Sequence, residues 1–138
     1  MTLPNLSPSR KLAAGVVLVA LALGAGWFAL RRQDKESAEI RVPELSPVAQ
    51  SGRLAFDRSC SACHGVHAAG SEKGPALVHR VYQPGLHADS AFELAVRRGV
   101  RAHHWSFGDM PPQPEVTATE VASITRYVRE LQKANGIE

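Results

Sequence analysis

Two thiols and an imidazole stand together at Cys60-Ser61-Ala62-Cys63-His64, and these are the chain's only two cysteines. Side chains three and four apart share one face of a helical turn. Two thiols on that face can add to the two vinyl groups of a haem. The imidazole that follows reaches the iron from the same side, which is the arrangement of c-type haem attachment. Other chemistries also use close cysteine pairs. A thioredoxin-type dithiol belongs beside a strand in a βαβ unit, and no strand pattern precedes Cys60. A structural zinc site needs further ligands, and there is no third cysteine. A disulfide-stapled fold would spread more cysteines along the chain.

The elements that must position these groups read as helices. Ser46 can cap a helix with Pro47 at its first position. Gly52, Ala55, Phe56 and Ser59 then recur at helical spacing, running into the cysteine motif. A middle helix is predicted from Asp89 or Ser90 to Arg98, with Ala91, Leu94 and Ala95 as its apolar face and Gly99 just past its end. The last helix opens on a capping box, Thr117-Ala118-Thr119-Glu120. Val121, Ile124, Val128 and Leu131 form its stripe, and Gly136 closes it. Strand patterns, internal repeats and low-complexity segments are absent from the sequence.

Further motifs follow in order. Gly74-Pro75-Ala76-Leu77 comes after the cysteines, then Gly108-Asp109-Met110-Pro111-Pro112, with Gly52 and Phe56 before and Tyr127 in the final helix. In this order and spacing, residues from about Ser46 to Ile137 resemble the small class I c-type cytochromes, a monohaem all-α family. The resemblance implies one haem c attached through Cys60 and Cys63. It implies His64 as proximal and Met110 as distal iron ligand. Pro75 would accept a hydrogen bond from the His64 ring through its carbonyl, and Leu77 would pack on the haem. A thioether opposite an imidazole raises the reduction potential relative to two nitrogen ligands.

Blander readings stand beside these. Gly74-Pro75 alone is an ordinary turn. A methionine can be a core gap-filler. His103 or His104 could take the distal position in place of Met110. Gly52, Phe56 and Tyr127 read as a helix-crossing contact that holds the haem crevice. His67, His79 and His87 read as surface or propionate-near groups. Arg97, Arg98 and Arg101 are a solvated face, a steering patch for an acidic partner, or counter-charges to a propionate. Ala62, Val66, Ala68 and Pro111 or Pro112 could ring an exposed haem edge.

The chain has 138 residues and a net charge of +3. From Ser51 onward ten Lys/Arg face nine Asp/Glu, whereas the first fifty residues carry six against four. The basic excess therefore belongs to the leader, and no basic run with interleaved aromatics supports nucleic-acid binding. Residues 12–30 are uncharged and apolar over nineteen positions, flanked by Arg10, Lys11, Arg31 and Arg32. That length suits a single transmembrane helix; a signal peptide cut after Ala22 or Gly24 is the competing reading. Residues 1–11 would then be a cytoplasmic N-terminus, 31–46 a linker and 47–138 the haem domain. The charged, Pro-punctuated stretch 33–46 is expected to add little to the core. Flanking charge alone does not favour a cytoplasmic N-terminus. The resemblance does, because haem c is attached outside the bacterial cytoplasm.

The expectation is an electron carrier with no enzymatic activity and no small-molecule substrate. It would sit single-pass in a bacterial inner membrane, its haem domain in the periplasm, exchanging single electrons with redox proteins at that membrane. The alternative is a fixed haem c subunit of a membrane oxidoreductase complex.

Overall fold

The computed structural model describes residues 40–138, and the apolar run 12–30 lies outside them. Among the described residues no helix is long and apolar enough to cross a membrane. Helix α1 (Pro47–Ser59) runs into a single turn, α2 (Ser61–His64). Short 3-10 turns follow at Val66–Ala68 and Arg80–Tyr82, then α3 (Asp89–Arg98) and α4 (Ala118–Ala134). No strand occurs among the described residues, and Val100 and Met110 form one isolated antiparallel pair. The all-α expectation holds for this part of the chain.

Local chemistry accounts for the helix ends. Ser46 caps α1, its hydroxyl accepting from the Ala49 N–H, with Pro47 in the first turn. The capping box of α4 is complete. Glu120 N–H donates to Thr117 Oγ1, and Thr117 N–H donates back to Glu120 Oε2 at 2.9 Å. Helix α3 stops at Gly99, whose φ of +74° suits glycine.

The core forms where α1 crosses α4. Ala49, Ala55 and Phe56 from α1 are buried against Val121, Ile124, Tyr127, Val128 and Leu131 from α4. A Cβ on Gly52 would lie 1.9 Å from the Ser123 carbonyl oxygen, so only glycine allows the two backbones this approach. The Phe56 and Tyr127 rings meet edge-on, with centroids 5.6 Å apart. The crossing expected from Gly52, Phe56 and Tyr127 is therefore present.

Two features differ from expectation. Ile40, Val42 and Leu45 pack on the core, although 33–46 was expected to add little to it. The reason is long-range pairing. Arg41 N–H donates to Asn135 Oδ1 at 3.0 Å, Asn135 Nδ2 donates back to Arg41 O at 2.9 Å, and Ser46 N–H and hydroxyl both donate to Glu130. Residues 40–46 form a strap along α4, which a search for helical periods does not detect. Helix α3 also presents more apolar residues than the expected face. Val96 is buried and Phe92 packs on the core, and both line a cavity together with Ala91, Leu94 and Ala95.

Candidate haem site

The cavity has a volume of about 390 Å³. Cys60, His64, Pro75, Leu77 and Met110 all line it. Of the six residues that the resemblance assigns to the haem, only Cys63 is not on its wall; it is exposed on the same turn. The two cysteines are free thiols. Burial, with Cys63 beside it, pushes the Cys60 thiol up to about 11. It therefore stays protonated at neutral pH, unlike the low-pKa thiolate of a dithiol redox pair.

His64 is held from behind. Its Nδ1 lies 2.9 Å from the Pro75 carbonyl oxygen. A carbonyl only accepts, so Nδ1 carries the proton and Nε2 keeps its lone pair for a ligand role. Burial moves the imidazole below its ordinary value, and the Pro75 bond partly offsets this.

The turn after His64 is unusual backbone. His67 and Ala68 both have positive φ, 53° and 58°, a conformation costing roughly 1–2 kcal/mol for a residue with a Cβ. Surrounding contacts hold it there. His67 Nδ1 pairs with the Tyr127 hydroxyl at 3.0 Å, and Ala68 O accepts from Leu77 N–H at 2.9 Å. The second bond ties the cysteine segment to the Gly74–Leu77 segment. Ala68 is fully buried, so it does not belong to an exposed apolar ring; Ala62, Val66, Pro111 and Pro112 are exposed.

Met110 is positioned by its backbone pair. Val100 N–H donates to Met110 O, and Met110 N–H donates to Val100 O, each at 2.9 Å. A Cβ on Gly99 would stand 2.5 Å from Met110 O, so the glycine ending α3 also makes room for the methionine segment. Gly99 was expected only as the end of α3; the room it makes for Met110 and the pairing of Val100 were missed. A glycine followed by a β-branched residue after a helix was the available signal, but nothing local names its partner.

Buried polar groups brace the far wall, and no local pattern announces them. Gln132 is 1% exposed, and its Nε2 donates to Leu77 O at 2.8 Å and Tyr82 O at 3.0 Å. Arg129 donates to Tyr82 O, His87 O, Gln132 Oε1 and Asp89. Trp105 Nε1–H donates to the Tyr82 hydroxyl at 3.1 Å, and its ring packs edge-on against His79. Arg98 lines the cavity, whereas Arg97 pairs with Glu93 on the outside.

The residues present fit a haem c. The Cys60 thiol, a neutral imidazole with its outer nitrogen engaged, and a thioether share a cavity walled by Ala91, Leu94, Ala95, Trp105 and Phe107, with the Cys63 thiol exposed on the same turn. His103 and His104 line the cavity too, so lining alone does not choose between them and Met110. No curated protein and no solved structure matches the chain. Residues 49–132 match the family model for cytochrome c, spanning both packed helices and every cavity residue just described. The chain therefore belongs to the cytochrome c family, whose covalently bound haem c serves electron transfer.

Proposed function

We propose that the protein is a one-electron carrier rather than an enzyme. In this reading Cys60 and Cys63 would form the thioethers, and His64 and Met110 would be the chain's ligands to the iron. The bound group supplies a ferrous–ferric couple, and the protein sets its potential and its access. The observation that carries the reading is His64, whose Nδ1 is fixed 2.9 Å from Pro75 O on the wall of a cavity that also receives Met110. That contact holds the ring in one tautomer and orientation. Leu77 and the α3 side chains give the cavity an apolar wall. With His64 and Met110 both bound, the chain would leave the iron no open position for an exogenous ligand.

We further propose that residues 12–30 anchor the chain in a bacterial inner membrane with the haem domain in the periplasm. The described residues begin at Ile40, and the strap to α4 ties that segment to the domain. Nine residues, 31–39, then separate the apolar run from the domain, reaching at most about 32 Å if fully extended. Redox partners would therefore lie in or at the same membrane. The test is the ferric spectrum and midpoint potential of wild type beside Met110→Ala. Unchanged values would sink the Met110 assignment.

A further inference from the structure

Three histidines that the proposed electron-transfer site does not use meet at the exposed side of the cavity. One nitrogen from each of His87, His103 and His104 lies within 4.8 Å of the others. The His103 and His104 rings are 4.1 Å apart between centroids, and those of His87 and His104 are 5.4 Å apart. His87 is half-buried and the other two are exposed, so solvent reaches the cluster.

Their outer contacts set the tautomers. His87 Nδ1 lies 2.7 Å from Val81 O, and His103 Nδ1 lies 2.8 Å from Arg101 O. Each carbonyl accepts, so each Nδ1 carries a ring proton and Nε2 is the nitrogen left to face a ligand. This is the backing that metal-ligating histidines receive.

We propose that His87, His103 and His104 form a binding site for one divalent transition-metal ion, zinc in the first instance. Imidazole suits zinc, copper and nickel, and three such ligands leave a fourth position for water or an anion. Tetrahedral zinc with bonds of about 2.05 Å needs ligand nitrogens about 3.3 Å apart. The rings must close by somewhat more than an ångström, and two of them are exposed side chains free to turn. The site shares its cavity with the residues proposed to hold the haem. A dication there would favour the less positive, reduced state of the couple and so raise its potential.

The test uses the haem-loaded protein, cleared of metals with a chelator and titrated with zinc by calorimetry. One equivalent is expected to bind, with affinity falling about tenfold or more in His103→Ala and in His104→Ala. Both substitutions are at exposed positions, so folding is not at issue. Copper(II) in place of zinc should show nitrogen hyperfine structure in its paramagnetic spectrum. Zinc should raise the midpoint potential of wild type more than that of the double variant. No binding, binding that survives both substitutions, or equal potential responses would each overturn the proposal. So would a metal-free spectrum with two nitrogen axial ligands that His103→Ala or His104→Ala alters, because that histidine would then belong to the iron. Only this last outcome also overturns the Met110 assignment.

Discussion

Gly52 and Ser123 hold the two main helices in backbone contact: a Cβ on Gly52 would sit 1.9 Å from the Ser123 carbonyl oxygen and 2.4 Å from its carbon. Exchanging a helical glycine for alanine normally gains up to about 1 kcal/mol. Here the neighbour is backbone and cannot turn aside. Gly52→Ala is expected to lower stability by about 3 kcal/mol, within the range of overpacked cores. Denaturant titration of wild type and variant checks this, and a neutral or stabilising effect would contradict the crossing.

Met110→Ala removes the only thioether on the cavity. The ferric sulfur-to-iron absorption band should vanish and the midpoint potential fall by on the order of 0.2 V, axial ligands commanding a span of about 0.8 V. Carbon monoxide should bind the reduced variant at neutral pH and should not bind the reduced wild type.

Gln132 tests the wall behind the cavity. Gln132→Ala strips donors from Leu77 O and Tyr82 O and an acceptor from Arg129, all in a nearly closed space. Unmade buried hydrogen bonds cost about 1–3 kcal/mol each, and relaxation should bring the total to about 3 kcal/mol. A thermal melt that does not shift would show that the network is dispensable.

Glu130 gives the strap a pH dependence. Partial burial acts to raise its carboxyl, but hydrogen bonds from Ser46 N–H and hydroxyl and from Arg126 outweigh this, and the net shift is downward. A carboxylate lowered in the folded state adds stability above its unfolded value of about 4.3. That stability is lost as pH falls through the folded value. Glu130→Gln should therefore be less stable than wild type at pH 7. The difference should shrink toward zero as the pH drops below about 4, as unfolding curves at several pH values would show. A constant difference would remove Glu130 from the account.

What was legible in the sequence was local. Cys60-Ser61-Ala62-Cys63-His64, the cap at Ser46, the Thr117–Glu120 box and the α4 stripe each lie within a few turns of chain, where helical spacing applies. Gly52, Phe56 and Tyr127 were legible as a set through resemblance. What stayed hidden depended on partners far along the chain. Ile40 and Val42 carry no helical period, and their place follows from Asn135. Gln132 looks like any polar residue of an amphipathic helix until Leu77 O and Tyr82 O are seen opposite it. The left-handed backbone at His67 and Ala68 has no glycine to announce it. That Phe92 and Val96 of α3 meet both core and cavity was hidden because a hydrophobic pattern does not say which faces are filled by protein.

The α1–α4 crossing also bears on the order in which the molecule can assemble. Its two halves come from opposite ends of the folded segment, with roughly sixty residues between Ser59 and Ala118. A chain emerging from its N-terminus presents α1 and the two thiols long before α4 exists to cover Phe56. The attachment turn thus stands open to chemistry before the core exists, and the final helix is the latch that closes the core behind it.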